Sequence, residues 1–281
     1  MIDTTADDAL RDRVALVTGA GRGIGRRIAA GLAAMGAQVA LLARSESELG
    51  EAVAEIQSSG GIATAIVADV QDTDRVRGGI ERVRAELGLP LLLVNNAAVV
   101  APLGATQMLD SKAVASAVAV NIVAPITLTT MVLPGMIAAG WGRVINISSG
   151  IAATPASMPG MTVYAASKAA LEAHTLNLAA ELAGTGITAN VYRPGAVDTA
   201  MQEWIREQPA KRVGEALHDR FAAMYAGGQL ITPERSAQSL LDRIAGSQTG
   251  QIWSVDDSDA GGAVRALTTQ HLPGAENDAT P

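Results

Sequence analysis

Seven short aliphatic runs, separated by stretches of helical periodicity, constrain this chain more than any other feature of its sequence. Residues 14–17, 38–42, 63–67, 91–94, 143–147, 188–192 and 251–255 read as strands. Helices are predicted near 23–35, 46–58, 73–86, 110–138, 163–182 and 233–246. Strands that alternate with helices of that length need crossover connections, hence a parallel sheet covered by helices on both faces. Hydrophobic residues make up 48% of the chain and aromatics only 2%, so the core is aliphatic, as in strands buried on both faces. No repeat or low-complexity linker divides the chain, and the expectation is a single doubly wound α/β domain over 1–281 with about seven strands. Segments 1–12 and 258–281 are expected to be loose tails. Segment 200–230, rich in Met, Trp, Phe, Tyr and charge, is expected to form a lid or helical insertion.

A formal charge of −7 and a pI near 5.0 argue against nucleic acid or an anionic membrane as the main partner, while leaving room for a local basic pocket. With no cysteine there is no disulfide, thiolate nucleophile or Cys-bound metal. The first residues carry Asp3, Asp7 and Asp8 without an apolar core, unlike a secretory signal. The most apolar stretch, 114–133, is interrupted by Ser116, Asn121, Pro125 and several threonines. A soluble cytoplasmic protein is expected, with no membrane partner. His174, His218 and His271 lack ligand spacing, and no metal site is expected.

After the first strand the chain runs Thr18-Gly19-Ala20-Gly21-Arg22-Gly23-Ile24-Gly25 and enters a helix. Glycine there permits a sharp turn and lets a pyrophosphate approach a helix N-terminus, where N–H groups and the dipole favour an anion. The spacing is neither G-x-G-x-x-G, because Ile24 stands where the third glycine belongs, nor a P-loop; it is T-G-x-x-x-G-x-G. Further on, Tyr164 and Lys168 stand at i and i+4, one turn apart on a shared helix face. An ammonium about 5 Å from a phenol is worth roughly 3 kcal/mol at an effective dielectric of 20, about two pKa units toward tyrosinate.

These motifs resemble the short-chain dehydrogenase/reductase family, over roughly residues 12 to 257. The resemblance implies a Rossmann-type fold and a nicotinamide-dependent oxidoreductase, with further residues in the family's order. Asp69 and Val70 match the adenine contact. Asn95-Asn96-Ala97-Ala98 resembles N-N-A-G, with Ala98 in place of glycine. Pro194, Gly195, Val197 and Thr199 match the segment that holds the nicotinamide end, while Gly19, Arg22, Gly23, Ile24, Gly25, Arg44, Asn96 and Ala97 complete the cofactor set. Tyr164 serves as proton donor or acceptor, Lys168 holds the ribose and Ser149 holds the substrate oxygen, with Ser148 the adjacent alternative. Asn121 bends its helix and holds a water behind the lysine. The interval from Ser149 to Tyr164 is slightly longer than is usual, a small insertion at the substrate rim. The family also implies a homo-oligomer, tetramer or dimer, through the long helices near 110–138 and 163–182.

Cofactor choice can be read residue by residue. The second strand ends Leu42-Ala43-Arg44, with no carboxylate at its tip to accept from a ribose 2′-hydroxyl. Arg44 and Arg22 could instead meet a 2′-phosphate, although Glu46 and Glu48 would blunt that if they faced inward. NADP(H) is expected ahead of NAD(H), with a small carbonyl compound or alcohol as substrate, as in a ketoreductase. Two other readings remain: a catalytically silent nucleotide-binding redox sensor with the same fold, and an enzyme of dehydration or epimerisation. Arg193 could meet an acidic substrate group or form a surface salt bridge.

Overall fold

The computed structural model describes residues 9–257. Seven strands form one parallel sheet: β1 (Val14–Thr18), β2 (Gln38–Ala43), β3 (Ile62–Val67), β4 (Pro90–Asn95), β5 (Gly142–Ile147), β6 (Ile187–Arg193) and β7 (Ile252–Ser254). Their order is β3-β2-β1-β4-β5-β6-β7, every neighbouring pair parallel. Helices α1 (Gly23–Ala34), α2 (Glu46–Ser58), α3 (Thr73–Glu86), α4 (Ser111–Val118), α5 (Ala124–Ala139) and α6 (Thr162–Glu181) fill the crossovers. Between β6 and β7 lie α7 (Ala200–Glu207), α8 (Ala210–Val213), α9 (Glu215–Ala226) and α10 (Pro233–Ile244).

The sheet is a septum between two aliphatic cores. On one face Ile28 and Leu32 of α1, Leu49 and Ile56 of α2, and Leu240 and Ile244 of α10 cover Ala15, Val39 and Leu92. On the other, Val76 and Ile80 of α3, Leu128 and Met136 of α5, and Leu178 of α6 cover Leu16, Leu93 and Val144. Alternate strand residues serve opposite faces, so every residue of β1 and β5 is buried. Helix starts carry their own signals. Ser45, Asp72, Asp110 and Thr232 each accept an N–H from the first turn of the helix they precede.

Two expectations need correction, and a third is made specific. The helix read as continuous over 110–138 is two helices joined by a π turn at Ala119–Val123. Pro125 has no N–H to give the carbonyl of Asn121, and the hydrogen-bond ladder widens there. Segment 200–230, expected as a lid or helical insertion, is helical: α7 to α9 close a third apolar cluster around Ile151, Met161, Ile205 and Phe221. The loose N-terminal stretch does not extend to residue 12. Leu10 is fully buried in the core under α1 and α10, and the Asp12 N–H donates to Gly36 O at 3.0 Å. The expected C-terminal tail, 258–281, lies outside the described residues.

Strand order reverses between β1 and β4, so the connections leaving those strands go to opposite sides. The carboxyl ends of the strands then border an open crevice, where an α/β sheet of this kind binds ligands.

Candidate active site

The crevice begins at the glycine turn. Gly19 (φ +64°) and Gly23 (φ +57°) take left-handed backbone, and a side chain on Gly25 would collide with Gly19 O and Asn96 Nδ2. The turn is sewn to the end of β4. Thr18 Oγ1 accepts the N–H groups of Asn96 and Ala97, both at 3.0 Å, while Asn96 Nδ2 donates to Thr18 O (2.9 Å) and Gly19 O (3.2 Å). Among described residues only Asp12 is a non-glycine with positive φ, so Ala98 replaces the family's glycine without backbone strain. No side-chain hydrogen bond caps α1 at Arg22, and the first-turn N–H groups face the turn as an anion cradle.

The wall expected to take the adenine differs from the simplest expectation for its arginines. Arg22 Nη1 lies 3.2 Å from Glu48 Oε1, so Glu48 does face inward, and Arg44 Nη1 lies 3.8 Å from Asp69 Oδ2. Arg22 and Arg44 are 65% and 73% exposed, and ion pairs that exposed are worth little. Both guanidiniums therefore remain able to turn to a stronger anion. Asp69 also accepts the N–H of Gln71 at 2.9 Å, and Val70 lines the same wall.

Helix α6 carries Tyr164 and Lys168 to the carboxyl end of β5. The two serines there point apart, as successive strand residues must. Ser149 hydrogen-bonds Tyr164, whereas Ser148 Oγ donates to Glu172 Oε1 at 2.7 Å. Ser149 is therefore the serine beside the tyrosine. Lys168 is buried, and its Nζ donates to Ile147 O at 2.7 Å. Burial pulls Lys168 down to about 8, opposed by the Glu172 carboxylate. Burial pushes Tyr164 up to about 12, offset only in part by Ser149. The expectation that the ammonium would acidify the phenol is thus reversed. Nζ stands 5.7 Å from the ring centroid and serves Ile147, and the cost of desolvating a phenolate outweighs it.

Glu172, not among the residues the motifs single out, organises this corner. It lies one turn beyond Lys168 and takes a bidentate pair from Arg193, Nε to Oε1 at 2.8 Å and Nη2 to Oε2 at 2.7 Å. Arg193 is therefore neither a substrate contact nor a surface pair, because its partner carboxylate is 9% exposed. The i, i+4 interval from Lys168 is the signal that could have found Glu172. Asn121 sits in the π turn with its side chain fully used: Oδ1 accepts Val99 N–H (2.9 Å), and Nδ2 donates to Val99 O (2.8 Å) and Ser167 Oγ (3.0 Å). Its side chain locks the 99 segment to α6 and makes no bond to the lysine.

One cavity of about 1140 Å³ joins these parts. Of the residues expected in the site, Gly25 and Asn121 stand behind its wall, and all the others line it. Pro194, Gly195, Val197 and Thr199 form the wall facing the glycine turn, with Val197 bridged to Ile231 and Thr199 against Gly23. Beyond Tyr164 the cavity continues under α7 and α9. The glycines at one end suit a pyrophosphate, and a phenol, a hydroxyl and an ammonium at the other suit proton transfer to a ligand oxygen.

A family model described as short chain dehydrogenase matches residues 13–210. A short chain dehydrogenase of Pseudocercospora fijiensis is 39% identical over 68% of this chain, which spans only 62% of that relative's length. The 3-oxoacyl-(acyl-carrier-protein) reductase of Pseudomonas aeruginosa is 38% identical over 74% of this chain and 87% of its own. Among solved structures, a candidate NAD(P)-dependent gluconate 5-dehydrogenase from Beutenbergia cavernae, with NADP bound at low occupancy, superposes with a TM-score of 0.76. It is 32% identical, and the match covers 88% of this chain and 96% of that one.

The buried lysine carries a testable cost. Because its folded pKa lies below the ordinary 10.5, the native state disfavours the ammonium, and the penalty is complete below about pH 8 and lifted as pH rises toward 10.5. A fall of that size corresponds to roughly 3 kcal/mol. Lys168→Met should therefore unfold at higher denaturant than the wild type at pH 7, with an advantage that shrinks as pH approaches 10.5. A variant no more stable at pH 7, or an advantage that does not change with pH, would show that burial does not depress this lysine.

Proposed function

The chain belongs to the short-chain dehydrogenase family of NAD(P)-dependent oxidoreductases, and on that premise we propose that it reduces a carbonyl group with NADPH, Tyr164 giving the proton. The observation that carries this reading is the convergence of Tyr164, Ser149 and Lys168 on one cavity with the glycine cradle. The cofactor, when bound, supplies the hydride to the carbonyl carbon. The left-handed backbone at Gly19 and Gly23 and the bare start of α1, with Ile24 beside it, would hold its pyrophosphate. Asp69 and Val70 would meet the adenine, Asn96 and Ala97 the span between, and Pro194, Gly195, Val197 and Thr199 the nicotinamide end. Lys168 would hold the adjoining ribose.

Ser149 fixes the substrate oxygen beside the Tyr164 hydroxyl and donates to it as negative charge gathers. Tyr164 then gives up its proton. Its high pKa keeps the phenol protonated throughout the physiological range, the state that reduction needs. Lys168, held near 8, is poised to return a proton close to neutrality. Asn121 and Glu172 position these groups: Asn121 locks Val99 to α6, and Glu172 ties the ends of β5 and β6 to the helix. The same cavity could serve a silent redox sensor, but a sensor needs no buried lysine beside a serine–tyrosine pair. Tyr164→Phe should lower kcat by 10²–10⁴-fold with cofactor affinity nearly unchanged. Retention of more than about a tenth of wild-type kcat in a steady-state assay would remove Tyr164 as the donor.

NADPH preference rests on Arg44 and Arg22. Neither exposed ion pair holds its arginine firmly, and a 2′-phosphate offers charge-assisted bonds worth ~1.5–3 kcal/mol each. Against that stand Glu48 and Asp69, which cap the preference rather than reverse it. The wild type should favour NADPH in kcat/KM by roughly a hundredfold, and Arg44→Asp should erase most of that ratio. A wild-type preference for NADH would refute this assignment.

We also propose a homo-oligomer, a reading supported by the outer face of the helical stretch 111–139, where Val118, Val123 and Ile137 are exposed beside small alanines. A second copy of this chain is the occupant that these exposed apolar side chains would fit. Light scattering should give a multiple of the 28.6 kDa chain, four copies being expected, and a strict monomer at micromolar concentration would contradict it.

A further inference from the structure

The cavity has two halves of different chemistry. The cofactor half is lined by backbone, glycines and the charged side chains Arg22, Arg44, Glu48 and Asp69. Beyond Tyr164 the walls are Met158 and Met161 from the segment before α6, Met201 and Ile205 from α7, and Phe221 and Met224 from α9. Met161, Ile205 and Phe221 belong to the apolar cluster that α7 to α9 close, and Met158, Tyr164 and Met201 pack against it. Four of these six side chains are methionine, whose flexible thioethers fill irregular space and adjust to ligands of different shape.

The polar groups of this half are few and largely engaged with one another. Arg220 Nη1 donates to Ser157 O at 2.8 Å, and the hydroxyls of Thr154 and Ser157 share a hydrogen bond of 3.2 Å. Gln202 contributes one amide, whose buried Oε1 has no hydrogen-bond partner and could take a single hydroxyl, and the one carboxylate on this side, Asp198, is exposed. A ligand with several hydroxyls would bury them against thioether and phenyl surface. Each hydroxyl left unpaired would cost roughly 5- to 150-fold in affinity.

We propose that the substrate is a ketone whose carbonyl carries an apolar alkyl or aryl arm of several carbons, the arm lying among Met158, Met161, Met201, Ile205, Phe221 and Met224. This rests on the reading that Tyr164 and Ser149 act on a carbonyl, and it goes further by excluding polyhydroxy ketones as good substrates. Recognition is by burial of apolar area, so affinity for the transition state grows with arm length until the chamber is full. Methionine walls make that growth tolerant of branching and of aromatic arms.

The test is the rate of NADPH oxidation by the full chain with methyl ketones from butanone to decanone, beside erythrulose, the trihydroxy counterpart of butanone. We expect kcat/KM to rise about fourfold for each added methylene over the first members, and erythrulose to fall at least about tenfold below butanone. Met201→Gln should lower kcat/KM for octanone at least about fivefold more than for butanone, because it sets an amide against the arm. A flat series, or erythrulose turned over as well as butanone, would overturn the apolar-arm assignment while leaving carbonyl reduction standing. Absence of turnover with every ketone, and with the matching alcohols and NADP, would overturn the carbonyl reading itself and this inference with it.

Discussion

An ammonium group buried at the carboxyl end of a parallel sheet is the constraint around which this molecule is arranged. Lys168 is 2% exposed, and a charge so placed must find partners or lose its proton. The structure does some of both. The Ile147 carbonyl takes one N–H directly, Glu172 offers negative charge from the next turn of α6, and burial still brings the lysine down to about 8. Glu172 in turn cannot sit there alone. Arg193 holds both of its oxygens and Ser148 donates to one of them, so a single carboxylate binds α6 to the ends of β5 and β6. Ser149 precedes a 3-10 turn that it helps to cap, and its orientation toward Tyr164 follows from Ser148 being held the other way.

The opposite rim of the crevice is set by backbone rather than charge. Thr18 and Asn96 join the ends of β1 and β4 by four hydrogen bonds, leaving Gly19 and Gly25 no room for side chains. These strands are the pair at which the order of the sheet reverses. Tight backbone packing therefore falls where the crevice opens, and a phosphate-sized anion can approach the start of α1 at its glycines. The two rims differ in how they would yield to mutation: one through unpaired charge, the other through steric collision.

Much of this was legible in the sequence, for identifiable reasons. Central strands buried on both faces leave mainly aliphatic runs, and the seven segments were visible from such runs and their spacing, although β3 and β7 are buried only in part. Motif residues at fixed short intervals, Gly19 to Gly25 and Tyr164 to Lys168, report local geometry that tertiary packing does not alter. What depended on contacts between distant segments was less visible. Glu172 and Arg193 meet across 21 positions, and each alone reads as an ordinary charge. The π turn at Asn121 needed Pro125 to be read as a missing donor four residues on, not as a mere interruption of apolar character. Leu10 belongs to the core through packing with residues distant in sequence, which no local pattern announces. The pairing of Arg22 with Glu48 and Arg44 with Asp69 depends on which way long exposed side chains turn, and no spacing states that.

Burial moves the two titrating groups of the site in opposite senses, and this bears on the direction of its chemistry. Desolvation disfavours whichever form is charged, so it raises a phenol and lowers an ammonium by the same physical cause. Tyr164 and Lys168 share that environment and are driven apart, from 10.0 and 10.5 to about 12 and about 8, with their order reversed. A tyrosine above its lysine is a proton holder beside a proton source. Once the phenol has given its proton to a substrate oxygen, the phenolate left in that environment is the stronger base, and the lysine is the neighbour able to refill it. Oxidation of an alcohol would start from the scarce partner, tyrosinate, which burial makes costly. On the proposed reading, the apolar walls beyond Tyr164 would thus also hold the phenol in the protonated state that a reduction uses.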